Sequence, residues 1–206
     1  MPAPFRPETA ALILIDHQVG TMQLIKTLDV DVVRRNTIAL AKAAKILGLP
    51  VVLTSSQEDH IQQPLMAKLA DILPEAFAAR IKREGIVNAW DDPNFKAAVE
   101  ATDRKQLIMG GVTTDVCLIY PTISAVEAGY QVQAVLDISG SPFALSEETA
   151  RKRMELAGVQ FTATNTIIAE LAQDWSTPHG EQLIRLLFTD ILPAVEQVSA
   201  RETEAA

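Results

Sequence analysis

A chain of 206 residues with 48% hydrophobic side chains is long enough for one sizeable core and short of the length at which a second domain becomes the expectation. Its 26 acidic and 18 basic side chains leave a formal charge of -8, which repels phosphate backbones and anionic bilayers, so neither nucleic acid nor membrane is an expected partner. The N-terminal MPAPFRPETA lacks the basic start and apolar core of a signal peptide, and no run approaches the roughly 18 apolar residues of a membrane span, which predicts a cytoplasmic protein.

The elements alternate along the chain. ALILI (residues 11–15) is a short apolar run of strand length, followed by VVRRNTIALAKAAKIL (32–47), whose Val33, Leu40, Ala44 and Leu47 share one helical face that ends at Gly48 and Pro50. VVLTS (51–55) is a second strand. ARIKREGIVNAW (79–90) alternates like an edge strand, placing Lys82 and Arg83 on opposite faces so that one of the two points into a cleft. QLIMGGV (106–112) is a strand and TDVCLIYPTISAVEA (114–128) a helix closed by Gly129. In that helix Pro121 removes a backbone donor past the first turn, predicting a kink or a loosened turn. QVQAVLD (131–137) is a strand, SEETARKRMELA (146–157) a helix with Ser146 as its cap, and VQFTA (159–163) a strand before the C-terminal helices. The apolar, low-charge IRLLFTDILPAVEQV (184–198) is a candidate subunit interface, and the polar tail 199–206 is expected to fray. Repeated strand-then-helix units predict an α/β fold of three layers, a parallel sheet with helices on both faces. The absence of a linker or repeat predicts one domain over residues 1–206.

Ligands of such sheets sit outside the carboxyl ends of the strands. That rule brings Asp16, residues 55–60, residues 113–117 and residues 137–141 to one cleft. The only cysteine, Cys117, falls in the first turn of its helix if Thr113 or Thr114 caps it. There the helix dipole favours the thiolate, while core packing is the alternative for a lone cysteine. Asp16 ends an apolar strand, where a carboxylate must be paired or must cap a turn. A thiol, a carboxylate and one cation from Arg83 or Lys82 would make a nucleophile with its base and charge support. Glu58, Asp59 and His60 are capable ligands, but adjacency at 59 and 60 splays their side chains, and His17 and His179 lack companions, so no metal is expected. No GxGxxG follows a strand and no GxxxxGK[ST] occurs, so no nucleotide cofactor is expected either.

LILIDHQVG, IVNAWDDPNF and GGVTTDVCLIYPTISAVEAGY, spread across a core of about residues 9–195, resemble the isochorismatase-like cysteine hydrolase superfamily, and most of all its YcaC-type branch. The resemblance implies a six-stranded parallel sheet in the order 3-2-1-4-5-6 and a catalytic triad of Asp16, Arg83 and Cys117. It also implies a cis peptide between Val112 and Thr113. Most amidases of the superfamily carry lysine at the basic position. Arg83, by contrast, stays charged and cannot shuttle protons, and Lys82 is the neighbour that a shift of register would substitute. The Asp-x-His ligand pair of nicotinamidase-like members is not matched at 58–60.

The implied reaction is acyl transfer at an amide, carbamoyl or urea-type C–N bond of a small molecule. The backbone amides of Thr113 and Cys117 would serve as the oxyanion hole, and Gln18, Trp90, Ile119, Phe143 and the loop over 55–65 would shape the substrate pocket. The aromatic residues have core or subunit interface as their alternative. The cation and helix dipole are expected to hold the Cys117 pKa low. A homo-oligomer, as large as an octamer, is implied as well. The alternative function is a non-catalytic binding or scaffold protein on the same fold. A thiol redox role lacks a resolving cysteine.

Overall fold

Six consecutive apolar residues, Ala10–Ile15, form the central strand β1, and all six are buried. A strand whose two faces are both apolar needs parallel neighbours and helices above and below it. The computed structural model, which describes residues 3–194, has that arrangement. β1 is followed by α1 (Val30–Leu47), β2 (Val51–Ser56), two short helices α2 (Lys68–Ile72) and α3 (Pro74–Ala78), and the three-residue strand β3 (Ile81–Arg83). Next come α4 (Pro93–Glu100), β4 (Gln106–Gly111), α5 (Ile119–Glu127) and β5 (Gln131–Val135). The chain then adds α6 (Ala144–Leu156), β6 (Gln160–Thr162), α7 (Thr164–Ala172) and α8 (Pro178–Asp190). Every strand pair is parallel, and the order is β3-β2-β1-β4-β5-β6, as expected.

Alternation along β1 sorts the core into two halves. Ala10, Leu12 and Leu14 pack with residues of α1, α2, α7 and α8, whereas Ala11, Ile13 and Ile15 pack with residues of α4, α5 and α6. The helix ends follow local chemistry. Asp29 caps α1 by accepting from the Asp31 amide at 2.8 Å, and Gly48, at φ 64°, closes it by returning its N–H to Ala44 and Lys45. The direction of winding reverses between β1 and β4, so a crevice opens at their carboxyl ends.

Several expectations are corrected in detail. Ser146 lies inside α6, which starts at Ala144. Its hydroxyl bonds the Asp115 carboxylate at 2.6 Å, tying α6 to the turn after β4. The helix expected over 114–128 is α-helical only from Ile119, and its first turn is wound with i to i+5 bonds: Leu118 N–H to Thr113 C=O at 3.1 Å, and Ile119 N–H to Thr114 C=O. Pro121 explains this, because an α-helical turn would press its ring against the carbonyl of Cys117. The apolar residues of 184–198 also serve the chain's own core: Leu186 and Leu187 pack inward, and Phe188 is left outside. Residues 195–198 of that stretch and the tail 199–206 lie outside the described residues. Among the described residues no helix is long and apolar enough to cross a membrane.

Asp137 turns away from the crevice. It accepts from the Thr164 amide at 2.9 and 3.1 Å and from the Thr164 hydroxyl at 2.8 Å, capping α7, and it takes a fourth bond from Asn36 Nδ2 at 2.9 Å. Asp137→Ala should therefore lower stability by about 2 kcal/mol, through loss of a helix cap and of the partner of the buried Asn36. The check is the urea midpoint at constant slope, and an unmoved midpoint would contradict the capping role.

Candidate active site

The residue that ends β1 leaves the strand in the left-handed region. Asp16 has φ 56°, a conformation that aspartate tolerates better than most side chains. The turn sends its carboxylate toward β3, where Arg83 is the last residue. Alternation along β3 leaves Lys82 exposed and paired with Glu58 at 3.1 Å, while Arg83 is buried. Arg83 Nη2 lies 2.5 Å from each Asp16 oxygen. Its Nε donates to the Thr54 hydroxyl at 3.1 Å and its Nη1 to the Ile86 carbonyl at 2.5 Å. Both ions are almost fully enclosed, and these extra acceptors offset the loss of water around the guanidinium.

Cys117 sits on the i to i+5 turn, with the Asp16 carboxylate and Thr113 as the neighbours that act on its thiol. The Val112–Thr113 peptide is cis. Burial raises the Asp16 carboxyl above its ordinary value, with Arg83 and the thiol opposing. The expected low pKa of Cys117 is overturned. Burial first, and the neighbouring carboxylate second, push the thiol well above its ordinary value, and the Thr113 amide and Arg83 offset only part of this. The thiol is therefore held toward its protonated form, beside a carboxylate paired with Arg83.

Asp16, Arg83, Cys117, Thr113 and Gln18 all line one cavity of about 340 Å3. Gln18 is not free to bind a substrate. Its Nε2 donates to the carbonyls of Ser56 (2.8 Å) and Gln63, and its Oε1 accepts from the Ser56 amide at 2.9 Å. Its work is to hold the loop after β2 against β1. The other three residues expected to shape the pocket lie elsewhere. Trp90 is buried edge-to-face between Phe95 and Tyr130, with centroids 6.3 and 5.5 Å away, and Ile119 is core on the same side of the sheet. Phe143 stands 69% exposed before α6 and does not line the cavity.

The walls are instead Leu24, Ile61, Ile86, Val87 and Val116. Single apolar residues in loops carry no periodic signal, although Ile61 falls within the expected 55–65 loop. Glu58 folds back onto Arg80 at 2.7 and 3.0 Å and onto Ser55 at 2.7 Å, which holds its carboxyl down to about 2. Asp59 and His60 point outward, and among the described residues no cluster of three His, Cys, Asp or Glu side chains is placed to hold a metal.

Residues 10–166 match the family model for the isochorismatase domain. The chain is 39% identical over 166 residues to the probable hydrolase YcaC of Escherichia coli strain K12, covering 81% of this chain and 79% of that protein. Among solved structures it is similar to YcaC from Pseudomonas aeruginosa with hexane-2,5-diol and covalent acrylamide, at a TM-score of 0.88 and 37% identity over 93% of each chain. It is equally similar to YcaC from Escherichia coli, an octameric hydrolase of unknown specificity, at a TM-score of 0.87 and 37% identity over 93% of each chain.

Beside the cavity, His17 is wholly buried, and its Nε2 bonds the Ile138 carbonyl at 2.8 Å, joining the end of β1 to the loop after β5. Burial lowers its pKa from 6.5 to about 4. Between those values the unfolded chain binds the extra proton. His17 therefore contributes stability in full above pH 6.5, and that stability is lost as the pH falls toward 4, to a total of about 3 kcal/mol. His17→Gln keeps a donor and does not titrate. The difference between the two proteins isolates His17 from the opposite drift of Asp16, and their unfolding free energies should converge as the pH is lowered through this window. Parallel curves would refute the assignment.

Proposed function

The chain belongs to the isochorismatase family and is a hydrolase, and on that premise we propose that it cleaves a C–N bond of a small amide, carbamoyl or urea-type molecule through a thioester on Cys117. The observation that carries the reading is the convergence of one thiol, one carboxylate and one permanent cation in a single cavity, with the carboxylate and the cation paired. The covalent acrylamide of the Pseudomonas YcaC supports it, since acrylamide bonds to nucleophiles such as thiols and Cys117 is this chain's only cysteine.

The steps follow from where protons can go. Because the thiol is held protonated, Asp16 takes its proton as the sulfur attacks the substrate carbonyl. The oxyanion is received by the backbone amides of Thr113 and Cys117, each worth about 3 kcal/mol in comparable hydrolases. Asp16 returns the proton to the nitrogen, the C–N bond breaks and the amine leaves. A water then gives its proton to Asp16 and attacks the thioester. The acid departs, and the sulfur recovers its proton from Asp16. Arg83 cannot carry protons and acts by fixing the carboxylate and its charge. We also read the chain as a homo-oligomer of the octameric kind found for the Escherichia coli YcaC, which is alike over 93% of its length.

Cys117→Ala should abolish turnover in a screen of small amides, ureas and carbamoyl compounds while leaving the melting temperature in place. Asp16→Asn should also be inactive, and less stable by about 3–5 kcal/mol, because Arg83 is left buried without its counter-charge. Arg83→Ala should resemble it, whereas Lys82→Ala, at an exposed side chain, should change stability and activity little. Full activity in the Cys117→Ala protein would end the thioester reading. Native mass spectrometry or light scattering at micromolar concentration should show an octamer, and a monomer would remove that part of the proposal.

A further inference from the structure

The charge inventory of the cavity is closed. Among the described residues Asp16 and Arg83 are its only charged lining residues, and each is committed to the other at 2.5 Å. The remaining contacts of the guanidinium go to Thr54 and Ile86, and the Arg83 side chain is 1% exposed. The neighbouring cations Arg80 and Lys82 are both drawn to Glu58, at 2.7 and 3.1 Å. A carboxylate or phosphate entering the cavity would find no unpaired positive charge among the described residues and would approach the Asp16 carboxylate.

The rest of the lining has a consistent character. Leu24, Ile61, Ile86, Val87 and Val116 are each at least 40% exposed around this opening, an unusual concentration of apolar surface. The polar groups that remain are neutral. They include the side chains of Thr21, Ser56, Gln57 and Gln62. At roughly 30 Å3 for a water-sized group, a volume of about 340 Å3 holds on the order of ten non-hydrogen atoms.

We infer that the site takes small uncharged amides with an apolar acyl group and discriminates against molecules that carry a carboxylate or phosphate. The inference rests on the reading of the chain as a C–N hydrolase, and the test separates the two. Isocaproamide and succinamate match in size and differ in whether the far end is a branched alkyl group or a carboxylate. The native protein should hydrolyse the first with a kcat/KM at least about ten-fold higher.

Alkylation of the single cysteine, followed by intact mass, gives a readout without turnover. Iodoacetamide should outpace iodoacetate on the native chain by at least about ten times the ratio found for the same chain unfolded in urea. Equal or preferred use of the carboxylate in either experiment overturns the inference. Hydrolysis of neither amide, with the alkylation gap intact, would count against C–N cleavage while upholding the exclusion of anions.

Discussion

A carboxylate and a guanidinium buried together at the end of a parallel sheet are the constraint on which the site depends. Neither ion is tolerable there alone, and the pair is acceptable because Thr54 and Ile86 satisfy other donors of Arg83. That requirement explains why a strand of only three residues is kept at the edge. β3 pairs with β2 from Ile81 to Arg83, and its last carbonyl accepts the Gln57 amide at 2.9 Å. Delivering a rigid cation 67 residues from its partner in sequence takes two crossovers and a register, which the apolar core supplies.

The same pair decides how the thiol behaves. An arginine in contact with a free thiol would draw out the thiolate, but here its charge is already answered by Asp16, and the sulfur meets the carboxylate instead. A protonated thiol reacts slowly with oxidants and stray electrophiles. In the proposed mechanism, nucleophilicity then arises only when a carbonyl arrives and a proton transfer to Asp16 accompanies bond formation. The cost is a carboxylate buried almost completely, and Arg83 supplies the compensation.

Much of this was legible in the sequence. Unbroken apolar strands declared a parallel sheet, a carboxylate directly after one of them declared an unpaired charge in need of a partner, and period-two alternation set Lys82 and Arg83 on opposite faces. The legible features share a regular period or a chemical improbability. What escaped detection has neither. Asp137 follows a strand just as Asp16 does, and only the approach of the α7 N-terminus, 27 residues on, makes it a cap. The direction of the Cys117 shift depends on burial against a nearby carboxylate, a balance of opposed effects that residue identity does not rank. Trp90 and Ile119 are apolar residues close in sequence to the site, and whether such residues face a cavity or the core is settled by helix rotation.

The cavity wall formed by the segment after β2 is attached in an unusual way. The segment after β2 is held to the segment after β1 by main-chain bonds, with the amides of Val19, Gly20 and Met66 reaching Pro64, Gln62 and His17, all at 2.9 to 3.0 Å, and by the buried amide of Gln18. At Gly20 the two backbones come so close that an added Cβ would lie 1.9 Å from the Ile61 carbonyl oxygen. The attachment draws nothing from the side chains of Ile61 or Gln62. A hydrolase so built can exchange residues that line its cavity while the anchor and the Asp16–Arg83 pair stay as they are. Diversification of specificity within this scaffold is thereby uncoupled from the stability of the buried ion pair.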